Sequence, residues 1–150
     1  MKYTCISFVA LAFQLFSCSA PAEDTQHPAD TTQTSDTACF IYAGREDEVF
    51  MQLVPAGEGR FRGMLQYDLN YKDRNDGTLE GSLDGDKLVA EYTFRSEGLT
   101  SVRQVVFRKE GDTWVEGYGE TVEAAGKQTF KDINALKYNT AIRLKPVSCR

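Results

Sequence analysis

A chain of 150 residues with a formal net charge of −5 fits one domain behind a targeting segment, and its acidity speaks against nucleic acid as a partner. The single histidine is His27, which leaves no Ser-His-Asp triad and no histidine-based metal site for the rest of the chain. Glycine is frequent and proline is rare beyond the first third, as in folds built from short strands and tight turns.

In chain order, Lys2 supplies a short positive region and Ile6–Phe16 a mostly apolar run too short to span a bilayer, so residues 1–17 read as a signal peptide. Leu15-Phe16-Ser17-Cys18 resembles the lipobox of bacterial lipoproteins, in which a small residue precedes a cysteine that becomes lipidated. Phe16 departs from the small or β-branched residue of that pattern. The rival cleavage site is Ala20-Pro21-Ala22, before Glu23, which would release a plain secreted protein. The cysteine falls directly at the end of the apolar run, which favours lipidation at Cys18 and lasting membrane attachment through several acyl chains. Residues 18–37 then form a polar tether with almost no large apolar side chain, unable to offset the entropy of ordering. Its flexible reach is roughly 20–25 Å.

The folded domain is expected over 38–150. The run Cys39-Phe40-Ile41-Tyr42 opens it, a polar turn follows at 44–48, and Val49–Val54 makes the next strand. A loop from Pro55 to Gly59 leads into Arg60–Leu69, where Phe61, Gly63, Leu65, Tyr67 and Leu69 alternate with polar residues. The charged connection Tyr71–Asp76 lacks the spacing of a calcium-binding EF-hand loop and reads as solvated.

Gly77–Glu120 is the most legible stretch. Asp84-Gly85, Glu97-Gly98 and Glu110-Gly111 sit between alternating runs and mark three hairpins joining four strands. With each dipeptide as a two-residue loop, Leu83 faces Asp86, Ser96 faces Leu99 and Lys109 faces Asp112. One face then collects Leu79, Leu88, Ala90, Tyr92, Phe94, Val105, Phe107 and Trp114. The opposite face carries Val89, Val102, Val106 and Val115, either as ordinary strand filling or as an outer patch covered by the C-terminal segment or a partner. Toward one end the apolar face turns polar at Ser101, Arg103, Glu116 and Tyr118, with Arg103 and Glu116 close enough to pair diagonally.

Beyond Glu120, a turn at Ala124-Ala125-Gly126 precedes a short strand Lys127–Phe130, and Asp132 is placed to cap a short helical turn through Leu136. Ala141–Lys145 is the last strand, with Ile142 and Leu144 inward, ending near Pro146. The total is an all-β domain of about eight strands, closed as an antiparallel up-and-down barrel or curved half-barrel. With Cys5 removed and Cys18 lipidated, Cys39 and Cys149 remain and pair in an oxidising compartment. A two-cysteine metal site would need histidines or further cysteines that are not at hand.

No cofactor is implied, and the chain is not expected to be an enzyme. Carboxylate-only chemistry through Glu116 and Glu120 stays formally open. The exported start, the tether, the framing cysteines and the run GSLDGDKLVAEYTFRSEGLTSVRQVVF resemble small, uncharacterised lipoproteins of Bacteroidota, similar in pattern to lipocalin-like barrels. The CxxC of copper-stress lipoproteins and the Ser-Gly-x-x-Tyr loop of lipoprotein lysozyme inhibitors are absent, so neither function carries over. The resemblance implies an envelope lipoprotein, and Ser19, where an aspartate would signal inner-membrane retention in some Gram-negative bacteria, favours the outer membrane. Two roles are expected of it. One is binding of a small hydrophobic or amphipathic ligand near Tyr92, Arg103, Glu116 and Tyr118; the other is a side-chain-filled barrel that meets an envelope protein partner through its outer valines.

Overall fold

The computed structural model describes residues 36–149 apart from Asp73. The expected signal peptide, the expected lipidation site Cys18 and nearly all of the expected tether lie outside the described residues. Ten strands follow in order: β1 (Ala38–Ala43), β2 (Glu48–Pro55), β3 (Arg60–Asp68), β4 (Asn75–Asp84), β5 (Lys87–Ser96), β6 (Leu99–Glu110), β7 (Thr113–Tyr118), β8 (Thr121–Ala124), β9 (Lys127–Phe130) and β10 (Lys137–Val147).

Eight of them close on themselves. The order β5-β4-β3-β2-β1-β10-β7-β6 returns to β5 through the β5–β6 ladder, and every one of these neighbours is antiparallel. This is the expected closed up-and-down barrel, of lipocalin-like topology. At one pole, the base, lie the turns after β2, β4 and β6 and the Cys39–Cys149 disulfide, with Cα atoms 5.2 Å apart. The connections after β1, β3, β5 and β7 lie at the other pole, the mouth.

The apolar face read from alternation is the barrel interior. Met51, Leu65, Leu79, Leu88, Tyr92, Val105, Phe107 and Leu144 are fully buried there, and Phe40, Phe94 and Ile142 pack against them. Side chains thus fill the middle of the barrel. Strand glycines allow the wall to curve this tightly: a Cβ on Gly63 would sit 1.8 Å from the Gln52 carbonyl oxygen, and one on Gly77 would sit 2.0 Å from that of Thr93.

In two hairpins the two-residue loop sits one position later in the chain than expected. Asp84 pairs with Lys87 and Glu110 with Thr113, so the loops are Gly85-Asp86 and Gly111-Asp112. Each glycine takes the first loop position with positive φ and the following residue does not, the pattern of a type II′ turn. At Glu97-Gly98 both residues have positive φ, a type I′ pattern, and Ser96 faces Leu99 as expected. The slip leaves every side chain on its expected face, because each strand pair moves by two positions of relative register.

Two of the four valines on the outer face are covered, and Val89 and Val102 are half-buried. Val106 and Val115 are fully buried although they point away from the core. Residues 131–136 run outside β7 as a strap before β10 begins at Lys137, and Tyr138 pairs with Gly117 in the β10–β7 ladder. Leu136 and Tyr138 lie within 3.0 Å of where a Cβ on outward-facing Gly117 would be. The Arg108 guanidinium stands 3.9 Å over the Tyr138 ring, and Lys87 donates to Asn134. Asp132 does cap a turn, accepting from the Asn134 amide at 2.8 Å, while the Ala135 amide reaches the Asp132 carbonyl at 3.3 Å. The turn goes no further into a helix, because the chain extends at once to place Leu136 on the wall.

The β8–β9 hairpin is an addition outside the barrel. It turns at Ala125-Gly126, both with positive φ, and joins β6 by a parallel bridge between Gln128 and Arg103. It fills the wall where β6 runs beyond its pairing with β7.

Candidate functional site at the barrel mouth

Alternation along five strands directs polar side chains inward at the mouth. Tyr67 on β3 lies opposite Asn75 on β4, Tyr92 on β5 lies opposite Arg103 on β6, and β7 contributes Glu116 and Tyr118. The structure therefore brings the four residues singled out from sequence, Tyr92, Arg103, Glu116 and Tyr118, into one neighbourhood. It adds Tyr67, whose sequence signal was only one more inward position in an amphipathic strand.

Glu116 sits at the centre and is buried. The Tyr67 hydroxyl donates to its Oε1 at 2.8 Å, and the Tyr118 hydroxyl donates to its Oε2 at 2.9 Å. Arg103 approaches Oε1 only to 3.8 Å, so the expected pair forms as an ion pair without a hydrogen bond. Glu116 lies opposite Phe107 rather than next to Arg103, and the long arginine side chain spans the difference. Burial pushes the Glu116 carboxyl above its ordinary value, while Arg103 and the two hydroxyls pull it down. The Tyr67 hydroxyl is raised strongly, first by burial and then by the Glu116 charge, and Tyr92 and Tyr118 are raised by burial as well. All three stay protonated as donors at any ordinary pH. Tyr92 spends its proton on the Leu65 carbonyl at 3.0 Å and stacks on Phe94 with ring centroids 4.8 Å apart.

Arg103 is held by aromatic faces. Its guanidinium carbon stands 5.1 Å from the Tyr67 centroid, 5.5 Å from that of Tyr92 and 5.7 Å from that of Phe94. Its Nε is buried with no hydrogen-bond partner, and so is the Oδ1 of Asn75. Between these groups lies a pit of about 160 Å³, lined by Tyr67, Leu69, Lys72, Asn75, Arg103, Glu116 and Tyr118.

Glu120 does not join Glu116. It leaves the barrel after β7 and pairs with Lys131 at 2.8 Å in solvent. Among the described residues no group of three His, Cys, Asp or Glu side chains is placed to hold a metal ion. Comparison with family models, curated proteins and solved structures gives no match. The reading of the site rests on its own geometry.

Proposed function

We propose that the protein is a non-catalytic binding module of the bacterial cell envelope, anchored through Cys18, which holds one small amphipathic ligand at the barrel mouth. The observation that carries this reading is Arg103. An arginine that merely closed a barrel end would form short, paired hydrogen bonds to its carboxylate at about 2.7–2.9 Å. Arg103 instead stands 3.8 Å from Glu116, a third of its side chain exposed, above a pit that neighbouring side chains leave unfilled. Because the interior is filled, the ligand sits at the mouth rather than deep in the barrel. The outer-membrane location rests on the sequence pattern alone, and acyl chains fed to the producing cell would label the protein if Cys18 is lipidated.

Native mass spectrometry of the full chain tests the site. The wild type is expected to carry extra mass that leaves on denaturation, and Arg103→Ala is expected to lose it with circular dichroism unchanged. Equal retention by the variant would remove the mouth from consideration.

The second reading, a filled barrel that serves as a support for an envelope partner, draws on the packed interior. Its expected contact surface is changed by the fold, since Val106 and Val115 are already fully buried.

A further inference from the structure

Hydrogen-bonding capacity in the mouth is unequally spent. Both Glu116 oxygens already accept a tyrosine hydroxyl. The Arg103 side chain makes no hydrogen bond among the described residues, its closest carboxylate oxygen is 3.8 Å away, and its Nε is buried unpartnered. Three aromatic faces fix the guanidinium in place without using a single N–H. Lys72 lines the same pit, so two cations stand there against the one carboxylate of Glu116. The pit therefore offers donors and a net positive charge to whatever enters.

Size and surroundings narrow the choice. A space of about 160 Å³ takes a head group and little more, comparable to a cavity of roughly 150 Å³ that accepts one benzene ring. Lys72 and Asn75 also line an adjoining outer recess with Tyr71 and Ser96. Tyr71 is 97% exposed and held in a positive-φ conformation, an aromatic ring presented to solvent at the rim. A flat apolar body leaving the pit would lie against it.

We infer that the ligand is a small carboxylic acid with an aromatic or short apolar body, seated carboxylate-first on Arg103 and Lys72 with its body at the Tyr71 rim. This rests on the mouth being the binding site. The orientation follows from packing, since fully buried side chains close the interior to an apolar tail. A singly charged carboxylate fits better than a doubly charged phosphate monoester, because Glu116 already offsets one of the two cations.

The test is calorimetric and NMR titration of the full chain with four probes of one shape: phenylacetate, phenylacetamide, phenethylamine and phenyl phosphate. Phenylacetate is expected to bind about tenfold more tightly than the neutral amide, with the amine weaker still and phenyl phosphate no better than phenylacetate. Arg103→Gln should cost phenylacetate about tenfold, and Lys72→Gln, on an exposed loop where folding is not at stake, a few-fold. Tight binding of the amide or the amine, still sensitive to Arg103→Gln, overturns the carboxylate assignment and leaves the mouth as the site. Phenyl phosphate binding several-fold more tightly than phenylacetate overturns the choice of a single charge. Phenylacetate binding that ignores both variants, or fails at millimolar concentration, overturns the inference. Retention of cellular ligand by wild type and variants then shows separately whether the mouth binds anything.

Discussion

Glu116 carries the most constrained charge in the barrel, with a hydroxyl on each oxygen and a guanidinium at 3.8 Å. Burial is the largest influence on its carboxyl and raises it. A carboxyl raised in the folded state holds its proton more tightly folded than unfolded. Its contribution to stability is thus full below the unfolded value near 4.3 and is lost as pH rises through the raised folded value. Glu116→Gln keeps the size and an acceptor while removing the charge. Urea unfolding from about pH 4 to 7 should show the wild type losing stability relative to this variant as pH rises. Parallel pH profiles would mean that the ionised carboxylate is not penalised in its site. Tyr92, Arg103, Glu116 and Tyr118 were legible because they occupy inward positions on consecutive strands. Tyr67 was not, because its bond to Glu116 spans 49 residues and alternation along β3 says nothing about which distant strand it will meet.

At the scale of elements, burial decides what the outer wall is. Val106→Glu would put a carboxylate at a fully buried position, with fully buried Val115 also on the outer face and Arg108, two positions along the same face, already paired with Glu110. The expected loss is about 3–5 kcal/mol in urea unfolding, as for other uncompensated buried charges. A change within about 0.5 kcal/mol, usual at exposed positions, would show that Val106 is not covered. The side-by-side valines on β5, β6 and β7 were visible in the sequence, and so was the choice between strand filling and a covered patch. The strap outside that wall was not, because residues 131–136 have no period to read. The hairpins show a second limit. Glycine identifies a turn, but whether it takes the first or second loop position depends on the conformation of its neighbour: Asp86 and Asp112 keep negative φ where Glu97 does not. Face alternation is blind to that difference, since both registers bury the same residues. β8 escaped notice for a related reason. All four of its residues are exposed, so it has no buried face to betray it.

For the whole molecule, closure depends on the β1–β10 seam, a short ladder pairing Cys39 with Val147, Phe40 with Pro146 and Ile41 with Lys145. The disulfide lies at the end of that seam and joins residues 110 apart in sequence. Replacing both cysteines by serine is expected to cost about 2–5 kcal/mol, read as a lower thermal midpoint that the wild type reproduces when reduced. Equal midpoints for oxidised and reduced wild type would show that the ladders alone hold the seam. The pairing, its place at the domain ends and the closing of the sheet there were readable by counting cysteines in a chain expected to be exported. The shortness of the seam was not, because alternation says nothing about how many pairs a ladder makes. The bridge has one more effect. Every loop at both poles lies between Cys39 and Cys149, so the barrel is a covalent circuit. A protease that cuts any one loop opens the circuit but frees no fragment. Two cuts are needed before a piece can leave, and ladders on both sides of each barrel strand would still hold it in place.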